Sequence, residues 1–511
     1  MHFTIKRIAD VSLVFLLAIS MIACKGTNTP EDPGGDPTPT DTTITTTDTI
    51  SITWSGTSAV ISGSHDGVSV TTDNGYVTVT STVKDITYLL SGNGQGQLTI
   101  YGTNRHQLIL NDLSLTCNDG PAINNQCKKS CFVLLQGTNS LTDGSSYATS
   151  TEDRKAAFFS EGQMIFSGAG SLTVKGNYKH ALASDDYIQF AKSTGSLNLT
   201  AASDGIHAND GIYFDGGTFS ISAGEEGIQC DTSVITINDG YINITKAGDK
   251  GIAAFDTISI SGGTIRISSD YKCIKTKGDL IISGGDIQVV CNGTASSGGP
   301  WGGSSSRSPE GIEAKGTITI TGGYVYSKSA DDAINSGSHM TISGGYVCAY
   351  STSNDGLDAN GNCYIKGGLV YAIGATSPEV AIDANTERGY KLYISGGTIV
   401  AVGNLENGAS ISGGTCKYTT SWNATSTYAL YNGSDLAFVF QTPTKSTSSG
   451  HGPGGGGGSQ RLVVYTSSTP ALKSGVSVSG GTTILNGMGT LDASVSGGSD
   501  VSLSNYTSGG W

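Results

Sequence analysis

The sequence is short of charge, of long apolar runs and of helical rhythm, and each shortage removes a class of protein. Only 14% of its 511 residues are charged, against 74 glycines, a balance foreign to ordinary globular domains that points to something periodic. Acids outnumber bases 42 to 28, for a formal net charge of −14, which disfavours nucleic acid as a partner and favours divalent cations. The seven histidines are scattered, and no Ser/His/Asp spacing of a hydrolase is legible. Of ten cysteines, nine follow Cys24, an odd number, which excludes a complete disulfide framework without a partner or a free thiol. Cys127 and Cys131 are placed to pair, and most others read as small core residues. The longest apolar run, Val11 to Ile19, is too short to span a bilayer. Nowhere do apolar residues recur with a helical period.

That short run is the core of a leader. Lys6 and Arg7 precede it, and "SMIAC" follows it, the layout of a secretory signal. "SMIAC" resembles a bacterial lipobox, in which Cys24 becomes the lipid-modified first residue. Residues 1–23 are therefore expected to be a lipoprotein signal peptide. Residues 24–49, rich in Pro, Thr and Asp, are expected to be a disordered tether.

Beyond the tether one motif recurs. "DGIHA", "EGIQC", "KGIAA", "KCIKT", "EGIEA", "DAINS", "DGLDA" and "VAIDA" align on Ile206, Ile228, Ile252, Ile274, Ile312, Ile334, Leu357 and Ile382. Successive spacings are 22, 24, 22, 38, 22, 23 and 25 residues. The long interval carries the low-complexity insertion Asn292 to Pro309. Fainter copies fall at Leu182 and Phe158. Between anchors run pairs of alternating β stretches broken by Gly-Gly, such as "ITITGGYVYSK" and "MTISGGYVCAY", with β-branched residues at alternate places and glycine at the corners. Three short strands in about 22–25 residues make one coil of a parallel β-helix. Leucine-rich repeats would need a leucine and asparagine ladder that is absent, and propeller blades a longer period. The predicted fold is thus all-β, a right-handed parallel β-helix. Its cap and first coils span 50–116 and its main body 117–440. A Gly-rich loop at 441–460 and a closing β segment at 461–511 complete it. The anchors form one inward ladder, and Ala208, Cys230, Ala254, Thr276, Ala314, Ser336, Ala359 and Ala384 form a second, small-residue ladder, in which Cys230 is packing and not a nucleophile.

A solenoid turns register into spatial columns, with equivalent residues of neighbouring rungs about 4.8 Å apart. Immediately after the anchor, and so pointing outward, stand Glu313, Asn335, Asp358 and Asp383. Two places before it stand Glu310, Asp332 and Asp355, with Asp331, Asn354 and Glu379 one place further out. Carboxylates stacked at that spacing repel by roughly 3–4 kcal/mol per pair at an effective dielectric near 20. Oxygen ligands without histidine suit calcium better than zinc or copper. Ordinary turn chemistry accounts for Asp204, Glu226 and Asp249, but less well for acids within the strand. Metal ligands are therefore expected among Glu310, Glu313, Asp331, Asp332, Asn335, Asp355, Asp358, Glu379 and Asp383.

The "DGIxA…ITISGGxVxA" rungs, the run "DDAINS", "NDGLDANG" and "AIDAN", and the GGPWGG-type loop resemble a family of exported bacterial carbohydrate-binding right-handed β-helices, related in fold to pectate lyases. The resemblance implies calcium held by acids between rungs, with Asp331, Asp332, Asn335, Asp355, Asp358 and Asp383 as ligands. It also implies binding of cellulose or polygalacturonate without cleavage. A lyase alternative needs a basic residue to take a proton; Lys275, Lys277 and Lys315 lie near the acids, and Lys275 is also placed for a cross-rung ion pair with Glu313. Paired acids such as Asp331 and Asp332 raise glycoside hydrolysis, but these acids follow the repeat and are not one isolated constellation. Tyr324, Tyr326, Tyr346 and Tyr371 form two outward columns that could stack on sugar rings or simply brace the sheet. The expected protein is a monomeric calcium-dependent polysaccharide binder on the outer membrane or cell surface, touching the membrane only through a lipid on Cys24. A purely structural or adhesive surface protein is the remaining alternative.

Overall fold

The computed structural model describes residues 44, 48–294, 308–376, 379–445 and 460–507. The leader, Cys24, most of the tether, Trp301 and most of the Gly-rich loop lie outside the described residues.

Three β faces wind into one parallel solenoid. The anchor face contains Ile206–Ala208, Ile228–Cys230, Lys250–Ala254, Lys272–Thr276, Ile312–Ala314, Ile334–Ser336 and Leu357–Ala359 within a thirteen-stranded sheet. Pairing runs Ile206 to Ile228, Ile252, Ile274, Ile312, Ile334, Leu357 and Ile382 in unbroken parallel register, the ladder read from the sequence. It extends upstream through Leu182, Phe158, Ile123 and Leu98 and downstream to Leu405. A three-residue strand suffices because its ends point inward and its middle outward. Both inward ladders are buried, and each fully buried aliphatic contributes about 1.5–3 kcal/mol. The chain then crosses a second face (Ile318–Ile320, Met340–Ile342, Cys363–Ile365 and their counterparts) and turns into a third, longer face. That face includes Asp286–Cys291, Tyr324–Ser329, Tyr346–Ser351, Leu369–Ile373 and Thr398–Val402. The Gly-Gly corner between them needs its glycine: Gly345 has φ +78°, and a Cβ there would lie 2.7 Å from the carbonyl carbon of Gly322 in the rung below.

The ends depart from the parallel pattern. Thr49–Gly56 folds back on Ser58–Ser62, and Val68–Asp73 on Tyr76–Ser81, as antiparallel hairpins. At the other end Leu462–Thr466 pairs antiparallel with both Thr398–Val402 and Thr415–Thr419. This closes the edge that a last rung would otherwise expose. A six-stranded antiparallel sheet, from Thr427–Asn432 to Ser494–Asp500, shares a hydrophobic cluster with the outer side of the third face, uniting Tyr326, Cys348, Tyr371 and Val400 with Trp422, Phe438 and Phe440.

Two expectations are corrected here. Tyr326 and Tyr371 are 4% and 0% exposed. They point outward from the solenoid, but the C-terminal sheet covers that column, and Tyr371 Oη donates to the Gln441 carbonyl at 2.6 Å, so neither ring is open to a sugar. Cys131 is a buried free thiol whose pKa burial pushes well above the usual range. It forms no disulfide with Cys127, whose Sγ instead donates to the Asn104 carbonyl.

Candidate functional site

The charged residues lie along one edge of the solenoid, where the turn from the third face enters the anchor strand. Register pairs Lys275 with Glu313, Glu313 with Asn335, and Asn335 with Asp358, and Asp383 follows the next anchor. The column goes one rung further than the sequence pattern showed, because Leu405 is the next anchor and Glu406 its outward neighbour.

The column divides into two blocks. In the first, Glu313 is 1% exposed although it points outward, because three lysines close over it. Lys272 Nζ lies 3.0 Å and Lys275 Nζ 3.3 Å from its carboxylate, and Lys315 pairs with it directly. Lys272 also pairs with Glu310. Burial alone would raise the Glu313 pKa, but the three ammonium groups, Lys272 foremost, hold it at about 2. Burial pushes Glu310, which has only Lys272, up to about 7. The remaining candidate base, Lys277, lies over the Phe255 ring, 4.6 Å from its centroid.

The second block has acids without such partners. Asp332, Asp355, Asp358 and Asp383 make no ion pair with Lys or Arg among the described residues. Asp332 is 5% exposed and Asp355 9%. Asn335 Nδ2 donates to Asp332 Oδ2 at 2.8 Å and to Asp358 Oδ2 at 3.0 Å, tying neighbouring rungs. Asn354 Nδ2 donates to Asp331 Oδ1 at 2.6 Å. The backbone N–H groups of Asp355 and Val380 donate to Asp332 and Asp355, at 3.2 and 2.6 Å. Burial, then the charges of Asp358, Asp355 and Asp331, pushes the Asp332 pKa up to about 9. Burial lifts Asp355 to about 8, against the Val380 N–H, and Asp358 to about 6. Burial and the adjoining Glu406 lift Asp383 to about 10. Glu379 is raised by burial and by Asp331.

Among the described residues, two groups of His, Cys, Asp or Glu bring three ligand atoms within 4.8 Å of one another, and neither is in this block. They are His180, Asp204 and His207, and Asp204, Glu225 and Glu226. Both lie upstream on the same edge, at the rungs anchored by Leu182, Ile206 and Ile228, and sequence reading had assigned Asp204 and Glu226 to turn chemistry.

Beside the acidic block a groove of about 330 Å³ is lined by Ser351, Thr352, Ser353, Gly374, Lys445 and Gln460 among others. Tyr324 and Tyr346, the remaining pair of predicted sugar-stacking rings, lie on the third face with centroids 4.8 Å apart and planes 6° from parallel. Tyr324 is 37% exposed.

Fold and surface together define a parallel β-solenoid with one ionic edge, a class in which stacked rungs build an extended ligand-facing surface. Within that class the chain belongs to the family described as carbohydrate-binding domain-containing protein, whose model matches residues 73–356, more than half of the sequence. No curated protein matches. Among solved structures the chain is similar to a polysaccharide lyase-like protein from C. thermocellum, determined as a gadolinium derivative. The two are 20% identical, the alignment covers 48% of this chain and 92% of that one, and the TM-score is 0.38.

Proposed function

We propose that the protein is a calcium-dependent, non-catalytic carbohydrate-binding surface lipoprotein, and that its ligands are polysaccharides bearing uronate carboxylates, with cellulose as the other candidate. The observation that carries this reading is the acidic block itself. Four aspartates on three successive rungs, Asp332 and Asp355 buried and Asp358 and Asp383 half-buried, lack a basic partner among the described residues, while the adjacent block of the same column has three lysines. Buried carboxylates in contact are costly unless a cation lies between them. Asp332, Asp355, Asp358, Asp383 and Glu406 supply only oxygen, and Asn335 supplies an amide oxygen on turning its side chain, a donor set suited to calcium. Asp331 and Glu379 lie one place further out and complete the set. Bound calcium would supply charge neutralisation and a coordination position for a uronate carboxylate. The neighbouring groove, with its hydroxyls and Lys445, suits a chain of sugar hydroxyls and acids, and Tyr324 and Tyr346 offer an accessible aromatic face. The family match supports carbohydrate as the ligand class. The leader and Cys24 support export and a lipid anchor, which radiolabelled palmitate on wild type and Cys24→Ala would test.

The function is tested by measuring retention on polygalacturonate and on cellulose with calcium and with a chelator, for wild type and Asp358→Ala. The expected result is retention of the uronate polymer that disappears in chelator and in the variant, with no unsaturated product. Equal retention in all conditions would remove calcium from the function, and product formation would make the protein a lyase.

A further inference from the structure

The upstream end of the ionic edge carries different chemistry. We propose that His180, Asp204 and His207 form a binding site for a divalent transition-metal ion of the zinc class, with Asp231 as the carboxylate that orients His207. His180 stands two places before the anchor Leu182, Asp204 two places before Ile206, and His207 immediately after Ile206. Parallel pairing of these rungs brings residues 27 apart in sequence onto one spot. The two imidazoles stack with centroids 4.3 Å apart, and His180, Asp204 and His207 are 1%, 3% and 8% exposed.

Hydrogen-bond accounting points to a cation. Asp231 Oδ2 lies 3.2 Å from His207 Nε2. A carboxylate only accepts, so Nε2 carries the proton and a neutral His207 has a lone pair on Nδ1. That Nδ1 lies 2.8 Å from Asp204 Oδ2, which also offers only lone pairs. His180 Nδ1, 3.2 Å from the same Oδ2, spends its single lone pair on the Asp204 backbone N–H at 3.2 Å, a contact that coordination of an ion would replace. The other oxygen, Oδ1, is already engaged by the Ser203 hydroxyl at 3.2 Å and the Glu226 N–H at 3.1 Å. The lone pairs of His207 Nδ1 and Asp204 Oδ2 thus face each other with a third ligand atom, from His180, within 4.8 Å, and the near-parallel rings, 20° apart in plane, turn out of their stack for both imidazoles to face one ion. Tetrahedral zinc ligands at about 2.0–2.1 Å from the ion stand about 3.3 Å apart, close to the two imidazole–carboxylate separations, 3.2 and 2.8 Å. Two imidazoles and one carboxylate select zinc-class ions over calcium, and a fourth position is left for water or a ligand oxygen. The His207–Asp231 contact is the outer-shell carboxylate that metal-bound imidazoles characteristically use. Five rungs, about 24 Å, separate this site from the Ile334 rung of the acidic block, so the two sites take different ions independently.

The test is calorimetric titration of ZnCl2 into the full chain at saturating calcium, with cobalt(II) visible absorption as a second readout. The expected result is one saturable zinc per chain and a cobalt spectrum with imidazole ligation. His207→Ala should weaken zinc at least tenfold. Asp231→Asn, at a side chain 45% exposed where the fold is not at risk, should weaken it about tenfold. Asp358→Ala should leave zinc unchanged. Absence of saturable zinc uptake would overturn the site and leave a proton shared between Asp204 and a charged imidazole. Equal zinc affinity in the wild type, His207→Ala and Asp231→Asn would overturn it as well.

Discussion

Glu313 and Asp358 occupy the same outward position two rungs apart, yet their surroundings are opposite. Glu313 is enclosed by Lys272, Lys275 and Lys315, whereas Asp358 faces Asp332, Asp383 and the Asn335 amide. One block carries its counter-charge in its own side chains, and the other has no Lys or Arg paired with it among the described residues. The contrast teaches that the repeat sets where a carboxylate stands, and the neighbouring rungs set whether a basic side chain stands against it.

The largest effect expected on breaking the contrast is at the lysine block. Glu313→Gln removes the carboxylate shared by buried Lys272, half-buried Lys275 and exposed Lys315, leaving Lys272 only Glu310, and should cost about 3 kcal/mol, equally in calcium and in chelator, measured by denaturant unfolding. Next, chelation of wild type should cost about 2–3 kcal/mol relative to calcium at a hundred times its Kd. The same chelation should do little to Asp383→Ala.

The pH dependence sharpens the same difference. Asp332, Asp355 and Asp358 have folded pKa values of about 9, 8 and 6, raised from 3.8. A carboxyl with a raised folded pKa contributes stability that is fully present below its unfolded value and lost as pH climbs through the folded one. In chelator, stability should therefore fall steadily from about pH 4 to pH 9. Saturating calcium should flatten that slope, since the ion holds the carboxylates charged; an identical slope in both would sink the assignment. The smallest effect is expected at the aromatic pair, where Tyr324→Ala should change stability by less than about 1 kcal/mol while lowering polysaccharide retention severalfold.

The solenoid was legible because every anchor from Ile206 to Ile382 keeps its spacing apart from one insertion, and register follows directly from such spacing. The rung at Leu405 escaped notice because "NLENGAS" lacks the small residue two places on. The His180, Asp204 and His207 cluster escaped for another reason: His180 and Asp204 share one rung position but not a residue type, His207 stands at another, and only the lateral stacking of strands joins them. The burial of Tyr326 and Tyr371 was equally hidden, since no local pattern tells a third-face residue that a sheet some 70 residues downstream will cover it. The predicted acids do stand together, but sequence spacing alone did not separate those that Lys272, Lys275 and Lys315 neutralise from those left without a basic partner.

The most direct measurement is a calorimetric calcium titration of wild type, Asp358→Ala and Glu313→Gln, the last checked for folding by circular dichroism. Saturable binding in wild type and in folded Glu313→Gln, weakened at least tenfold in Asp358→Ala, is the predicted result. Calcium binding unchanged by Asp358→Ala, or absent from wild type, would contradict the assignment of the acidic block as a calcium site.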